Sequence, residues 1–370
     1  MQRHQNQGVT FRIRRVPLGW TVDHLRACLE QHDPSSCPDV RSFVPEIDRR
    51  SFTATVVYKS RPSVTQGPKP WDLSLEGPHE KPSSNSGYLE IDDTLLGITS
   101  LYLPPAKDHK VDIIALGNIS GCPLESFEDA ASNHVWLRDI LPAQLVDMEI
   151  QQPMARVMTY GYQSILNETN GRMTLEALGI AFVKVFTALS NSSQIKPTIL
   201  IGHGFGGLVI KQALTNLSKL RGETEMNVFR AIRGVVFFGV PHDGMDITSF
   251  QLAAGHPNQQ VIESLRRGGS EFLDQLHAEF LQAFSQKRET EIFSFYETLE
   301  SDISRRDTTS YTGVVVTKAS ATRCHLGERN GQHTCAIPRS NADIARFEPH
   351  DPEFDAVRNT LLGITHRAAN

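Results

Sequence analysis

Apolar and polar positions follow two different patterns along this chain. Over residues 9–59 they predict a strand, a helix capped by Thr21 and two further strands, a small β-α-β-β module. Farther along, the predicted strands cover 111–116, 155–160, 197–201, 234–239, 291–296 and 312–317, and the predicted helices lie near 174–190, 206–220, 259–286 and 353–363. Strands that alternate with helices favour right-handed crossovers and a parallel sheet. The predicted fold class is α/β, with a doubly wound, mostly parallel sheet.

Proline, glycine and serine recur between these two regions and predict a linker. The predicted organisation is a disordered tail over 1–8, the small module over 9–62, the linker over 63–87 and the main α/β domain over 88–366.

Composition excludes several classes of function. The 370 residues are 39% hydrophobic and 21% charged, with a net charge of −5, so a general DNA or RNA binder is not indicated. Five scattered cysteines without a C-x-x-C pair predict neither a disulfide framework nor a zinc site. No phosphate-binding G-x-x-x-x-G-K-(S/T) motif occurs. We therefore expect no cofactor and no metal.

The sequence also bears on location. No apolar run approaches the roughly 18 to 20 residues of a membrane span, and residues 1–8 are too polar for a signal peptide, which favours the cytoplasm. Arginines precede the first acidic residue, Asp23, so a mitochondrial presequence or a peripheral place on an organelle membrane is the alternative. Against a presequence, residues 11–16 alternate like a half-buried strand.

The candidate chemistry lies in residues 197–212, which read as a buried strand, a glycine-rich turn and a helix. This is the layout of a nucleophile elbow, whose G-x-S-x-G places a serine on a sharp turn. Here the motif reads Gly202-His203-Gly204-Phe205-Gly206. Serine-hydrolase chemistry needs a hydroxyl at the third position. Gly204 has no side chain, so the nucleophile position is inert.

Further motifs extend along the main domain: Val111-Asp-Ile-Ile114, Trp136-Leu-Arg-Asp-Ile-Leu-Pro142, Ala155-Arg-Val-Met-Thr-Tyr-Gly-Tyr162, Ile210-Lys-Gln212, Gly234-Val-Val-Phe-Phe-Gly-Val-Pro-His242, Phe295-Tyr-Glu-Thr298 and Lys318-Ala-Ser-Ala-Thr322. With the elbow, they make residues 88–365 resemble the lipase-like α/β-hydrolases of the "serine active site containing" and GPI inositol-deacylase type. In fungi such domains often precede NACHT or ankyrin regions. The resemblance implies an α/β-hydrolase fold and serine esterase or lipase ancestry.

The resemblance also implies roles for particular residues. The first loop of the family is glycine-rich and supplies an oxyanion-hole amide, whereas this chain has Asn118 and Ser120 at two of those glycines. Glu297 stands at the position of the triad acid, and Asn341 stands where the family has its histidine base. An amide cannot take and return a proton near neutral pH. Ile119, Phe205, His203 and His242 are expected around the oxyanion loop and pocket, the two histidines in structural roles.

Other residues are candidates for the missing base and nucleophile. His325, His333 or His350 could supply a relocated base, and Ser120 or Cys122 a nucleophile, although packing roles are favoured for the last two.

The sequence therefore predicts a catalytically deficient, hydrolase-like protein with a binding, accessory or regulatory role, towards an apolar or acyl small molecule or a protein partner. The alternatives are an active ester or lipid hydrolase with a non-standard nucleophile and base, and an accessory protein of fungal specialised metabolism. A weaker alternative is RNA contact through residues 9–59, because residues 49–58 faintly resemble the third strand of an RNA-recognition motif.

Overall fold

The computed structural model describes residues 8–75, 87–119, 122–129, 131–163, 174–192, 195–247, 259–268, 270–285, 287, 289–302, 312–324 and 333–370. The first elements are β1 (Val9–Val16), α1 (Val22–His32), β2 (Asp39–Pro45), β3 (Phe52–Tyr58), β4 (Trp71–Ser74) and β5 (Tyr88–Asp92). The five strands form an antiparallel sheet whose spatial order is β2-β3-β1-β5-β4. Helix α1 begins where the Thr21 hydroxyl accepts a hydrogen bond from the His24 N–H, and it buries Leu25 and Leu29 against the sheet.

This sheet is larger than the predicted β-α-β-β module. Strand β4 lies inside residues 63–87, which the sequence predicted as a linker, and it pairs with β5, which the sequence assigned to the main domain. β5 in turn pairs with β1. The alternation of apolar and polar residues did not predict β4, because this strand has only four residues and only its buried Trp71 and Leu73 mark it as a strand. The domain limits thus remain a prediction, but the first sheet extends to Asp92.

The remaining strands are β6 (Gly97–Tyr102), β7 (Val111–Leu116), β8 (Glu128–Asp129), β9 (His134–Val135), β10 (Ala155–Gly161), β11 (Thr198–His203), β12 (Ile232–Phe238), β13 (Glu291–Glu297), β14 (Ser301–Asp302), β15 (Thr312–Gly313) and β16 (Thr334–Ile337). Seven of them form the central sheet, in the order β16-β13-β12-β11-β7-β10-β6. All neighbours in it are parallel except β6, which runs antiparallel to β10. Strands β7, β10 and β11 are buried along their whole length, as expected for a sheet covered on both faces.

The last strand of the central sheet differs from the prediction. Residues 312–317 do not enter that sheet: β15 forms only a two-residue ladder with β14. The edge position belongs to β16, which pairs with β13. Val315 and Val316 carry the apolar signal that predicted a strand, but they are buried in a loop beside the end of β13.

Helices cover both faces of the sheet: α2 (Trp136–Asp139), α3 (Leu141–Gln144), α4 (Leu175–Ser192), α5 (Phe205–Lys219), α6 (Glu223–Ala231), α7 (Gln259–Ser264), α8 (Glu271–Phe284), α9 (Lys318–Ala321) and α10 (Phe354–Ala369). Helices α4, α5, α6 and α8 pack into one apolar core, and α2, α3 and α10 pack into another on the opposite face. The predicted helix over 259–286 is two helices, with Gly268 at φ +76° between them. The architecture is the doubly wound α/β-hydrolase fold with an N-terminal antiparallel sheet.

The N-terminal sheet docks on the main domain through buried polar contacts. The Arg12 guanidinium donates to the Thr99 hydroxyl at 2.8 Å, and Arg138 donates to the Thr55 hydroxyl at 3.2 Å. The aromatic residues of β3 that suggested RNA contact are packed: Tyr58 is buried against Phe11, and Phe52 stacks on Phe43. Tyr58 is therefore part of the core, while Phe43 and Phe52 are half-buried and stack on each other.

Candidate functional site

The elbow predicted at Gly204 is present at the carboxyl end of β11. Gly204 has φ +52° and ψ −122°, a conformation that side-chain-bearing residues rarely adopt, and α5 begins at the next residue. Its N–H donates to the Phe238 carbonyl at 3.0 Å, which ties the turn to β12. Gly206 allows α5 to approach the first loop, because a Cβ there would lie 2.2 Å from the Gly117 carbonyl oxygen. The sharp turn of a nucleophile elbow is thus present at a residue that has no side chain, and glycine adopts it without strain.

The first loop, after β7, places Asn118 directly against this turn. The Phe205 N–H donates to Oδ1 of Asn118 at 3.0 Å, and the Ile119 N–H donates to the same oxygen at 2.9 Å. A Cβ built on Gly204 would lie 2.6 Å from this amide carbon and oxygen. The Asn118 carboxamide therefore occupies the space beside the position of the missing nucleophile.

Two residues that the sequence analysis did not single out hold this loop. The Asn118 N–H donates to the Ser126 hydroxyl at 2.8 Å, and the Tyr162 hydroxyl donates to the Gly117 carbonyl at 2.7 Å. Tyr162 is buried, and burial raises its pKa well above the usual range, so its hydroxyl remains protonated. Tyr162 ends a motif that the resemblance uses, whereas no sequence signal marks Ser126.

Glu297, at the position of the triad acid, is the last residue of β13 and is only 3% exposed. Its Oε1 accepts a hydrogen bond from the Val316 N–H at 2.8 Å. Burial raises the pKa of Glu297, while the Val316 N–H and the Asn341 amide act in the opposite direction. Among the residues that the structure describes, none forms a hydrogen bond of normal geometry with its Oε2. The carboxyl group thus remains beside the base position without a base to orient.

Asn341, at the position of the base, lies on the loop after β16 and is buried despite being in a loop. Its Nδ2 donates to the Gly239 carbonyl at 3.1 Å. The backbone carbonyl of Asn341 accepts a hydrogen bond at 2.8 Å from Nε2 of His203. Because a carbonyl can only accept, the proton of the His203 ring lies on Nε2. Burial lowers the pKa of His203 to about 4, so the ring is neutral and fixes the Asn341 loop to the elbow.

A tryptophan from the motif at 136–142 supports the same loop from the other face of the sheet. The Trp136 indole N–H donates to the Ala345 carbonyl at 2.8 Å. Its ring packs edge-on against Phe347 and Phe354. His203 and Trp136 thus bond to backbone carbonyls of the loop, and the Asn341 side chain anchors it further through the Gly239 carbonyl.

The remaining predicted residues are not brought to the elbow as reactive groups. His242 is buried with its ring edge-on to Phe237 at 4.7 Å. Burial raises the pKa of the Cys122 thiol to about 12, so it is protonated and not an activated nucleophile. His333 precedes β16 and lies beside Phe293, away from the carboxyl ends of the strands, and His350 is exposed in a turn at φ +69°. Ser120 and His325 lie outside the described residues.

The described parts of the chain also bear on metal binding and on membrane insertion. Within them, no cluster of three or more His, Cys, Asp or Glu side chains could hold a metal ion. Nor does any helix there have the length and apolar character needed to cross a membrane.

Three features of the described residues bear on acyl-transfer chemistry. The elbow presents no hydroxyl, Asn341 cannot act as a general base, and the two amide donors nearest the elbow already bond to Asn118. What survives is the backbone frame of a hydrolase site and a buried carboxyl group at its acid position.

Known proteins resemble this chain in part. No family model matches it. The chain is 28% identical over 160 residues to the protein SERAC1 of Bos taurus, which covers 41% of this chain and 23% of that protein. It is also 28% identical over 154 residues to the protein SERAC1 of Mus musculus, which covers 40% of this chain and 22% of that protein. The matched region therefore spans less than a quarter of the length of these relatives.

Similar solved structures are lipases and other α/β-hydrolases. Phospholipase PlaB from Legionella pneumophila, in complex with thio-NAD, covers 57% of this chain and 44% of its own, at 15% identity and a TM-score of 0.39. The mature lipase BlEst2 of Bacillus licheniformis covers 70% of this chain and 97% of its own, at 11% identity and a TM-score of 0.42. TM-scores below 0.5 do not establish a shared fold, so the fold is assigned from strand order and the elbow.

Proposed function

We propose that this chain is a catalytically deficient α/β-hydrolase-like protein, a pseudo-serine-hydrolase that acts through binding and has an accessory or regulatory role. The observation that carries the proposal is the elbow itself, where the turn at φ +52°, a conformation that side-chain-bearing residues rarely adopt, is occupied by Gly204 and no nucleophile is attached. Asn341 adds to it, since the buried residue at the base position bonds to the Gly239 carbonyl and has no titratable group.

The ligand that we propose is an apolar or acyl small molecule. Phe205 and Tyr162, beside the elbow, belong to one apolar cluster with Leu175, Leu178 and Phe182 of α4. These side chains are packed core, so they support the apolar character of a ligand that reaches the elbow. The partial similarity to SERAC1 supports descent from the "serine active site containing" type, and the finer relation to GPI inositol-deacylases is part of the same proposal.

The experiment measures hydrolysis of short- and medium-chain nitrophenyl esters and covalent labelling by a fluorophosphonate probe. We expect the unmodified protein to show neither activity above background. Gly19→Ser adds a hydroxyl at an exposed glycine with open space around it, and it is the matched control for a variant that adds a serine at position 204. It should resemble the unmodified protein.

Turnover or labelling of the unmodified protein would overturn the proposal and favour an active hydrolase with another nucleophile. Mass-spectrometric location of the probe would then identify that residue. Purification from the native organism with a co-isolated acyl compound would, in contrast, name the bound ligand directly.

A further inference from the structure

The two backbone N–H groups that meet at Asn118 come from different parts of the chain. One belongs to Phe205, the residue after the nucleophile position, and the other to Ile119 of the first loop. In hydrolases of this fold, the oxyanion hole is built from these two sources, the residue after the nucleophile and the first loop. The donor pair of an oxyanion hole is therefore present, although Asn118 stands where a glycine was expected.

The orientation of the Asn118 amide follows from its partners. Both neighbours are N–H donors, at 3.0 and 2.9 Å, so the atom between them must be the oxygen, which can only accept. The backbone N–H of Asn118 is already taken by Ser126, so the loop offers the Ile119 N–H instead. One carboxamide oxygen thus takes the place that a substrate oxyanion would take.

The same carboxamide also conflicts with a side chain at the elbow. A Cβ at Gly204 would approach the Asn118 amide carbon and oxygen to 2.6 Å and its nitrogen to 2.9 Å. Contacts this short force one of the two groups to move. A side chain at position 204 would therefore require the Asn118 carboxamide, the end of a flexible side chain, to shift.

We propose that Asn118 is an internal occupant of a preserved oxyanion hole, which closes the site to carbonyl and carboxylate oxygens. The inference rests on the proposed function, because it concerns the same site. It adds a second barrier to catalysis: restoring the nucleophile and the base alone leaves the Asn118 carboxamide in the site, crowded against the restored side chain.

The first test does not involve catalysis. Asn118→Gly removes a side chain equivalent to acetamide and leaves the Phe205 and Ile119 N–H groups without their acceptor. Acetamide should raise the thermal unfolding midpoint of Asn118→Gly and leave that of the unmodified protein unchanged. Asn118→Asp is the matched control, since it keeps both the bulk and the acceptor, and its midpoint should not respond either. An equal response of all three proteins, or none in Asn118→Gly, overturns the inference.

The second test compares fluorophosphonate labelling of Gly204→Ser/Asn341→His with that of the same protein carrying Asn118→Gly as well. Freeing the two donors should speed labelling by at least about 10²-fold, since losing one oxyanion-hole donor costs about 10² to 10³ in rate. Asn118→Ala keeps a stiffer backbone and serves if glycine loosens the loop, and Asn118→Asp should give no gain. Equal rates with and without Asn118 would contradict the inference, whereas labelling of the unmodified protein would contradict only the proposed function.

Discussion

Buried carboxyl groups at the two ends of the central sheet differ in how completely they are hydrogen-bonded. At the amino end, Asp112 of β7 receives two 2.7 Å hydrogen bonds from Arg156 of β10 and a 2.8 Å contact from His109, so both carboxylate oxygens are engaged. At the carboxyl end, Glu297 has one oxygen bonded to Val316, and its other oxygen has no partner of normal geometry among the described residues. The first carboxylate is fully hydrogen-bonded, whereas the second is bonded through one oxygen within the described residues.

The difference teaches how to separate structural from inherited polar residues. Removing a partner from a satisfied buried pair strands a charge, which is costly. Neutralising a buried carboxyl group whose second oxygen lacks a partner of normal geometry should cost little or even stabilise the fold. Stability measurements at the two ends therefore test the comparison directly.

The largest effect is expected from Asp112→Ala. The change leaves the Arg156 guanidinium buried without its carboxylate, and we expect the free energy of unfolding to fall by about 3–5 kcal/mol. Chemical denaturation at neutral pH measures it. Asp355→Ala is the control, because its pair with Arg358 is exposed and should contribute less than about 1 kcal/mol. A small effect at Asp112 would remove the distinction between the two ends.

An intermediate effect is expected from His203 on acidification. Burial lowers its folded pKa to about 4 from an ordinary value of 6.5, so the stability it contributes is complete above about pH 6.5 and is lost as pH falls towards 4. The loss corresponds to up to about 3 kcal/mol. His203→Gln keeps a donor for the Asn341 carbonyl and cannot titrate, so its unfolding free energy should fall less than that of the unmodified protein over this range. Parallel pH curves for the two proteins would refute the assignment of a neutral His203.

The smallest effect, with the opposite sign, is expected from Glu297→Gln. A raised folded pKa means that the acid stabilises the fold below its unfolded value of 4.5 and loses this contribution as pH rises through the folded pKa. The Gln variant should therefore gain stability relative to the unmodified protein as pH rises above 4.5. Glu279→Gln should show the reverse, because hydrogen bonds from Lys219 and Gln275 lower the pKa of Glu279. A loss at Glu297 as pH rises would indicate a hidden partner for its carboxylate.

The sequence predicted the strands whose apolar runs are long and buried on both sides, such as β7 and β11, because such runs have few alternative structures. It misassigned the sheet edge, where β16 has four residues with mixed burial while Val315 and Val316 fill a buried loop. The elbow was predicted from its glycines. The position of the Asn118 side-chain oxygen was not predicted, because it depends on a contact between positions 118 and 205, which no local pattern encodes.

The pairing of β5 affects how this protein can be divided. A fragment that begins at Tyr88, where the main domain was predicted to start, would carry β5 without β1 and β4, the neighbours that pair with it on either side. Leu89 and Ile91, both buried in the intact sheet, would then lie on a strand with two open edges, which is a template for intermolecular pairing. Recombinant work on the hydrolase-like part should therefore begin after Asp92 or keep the first sheet whole.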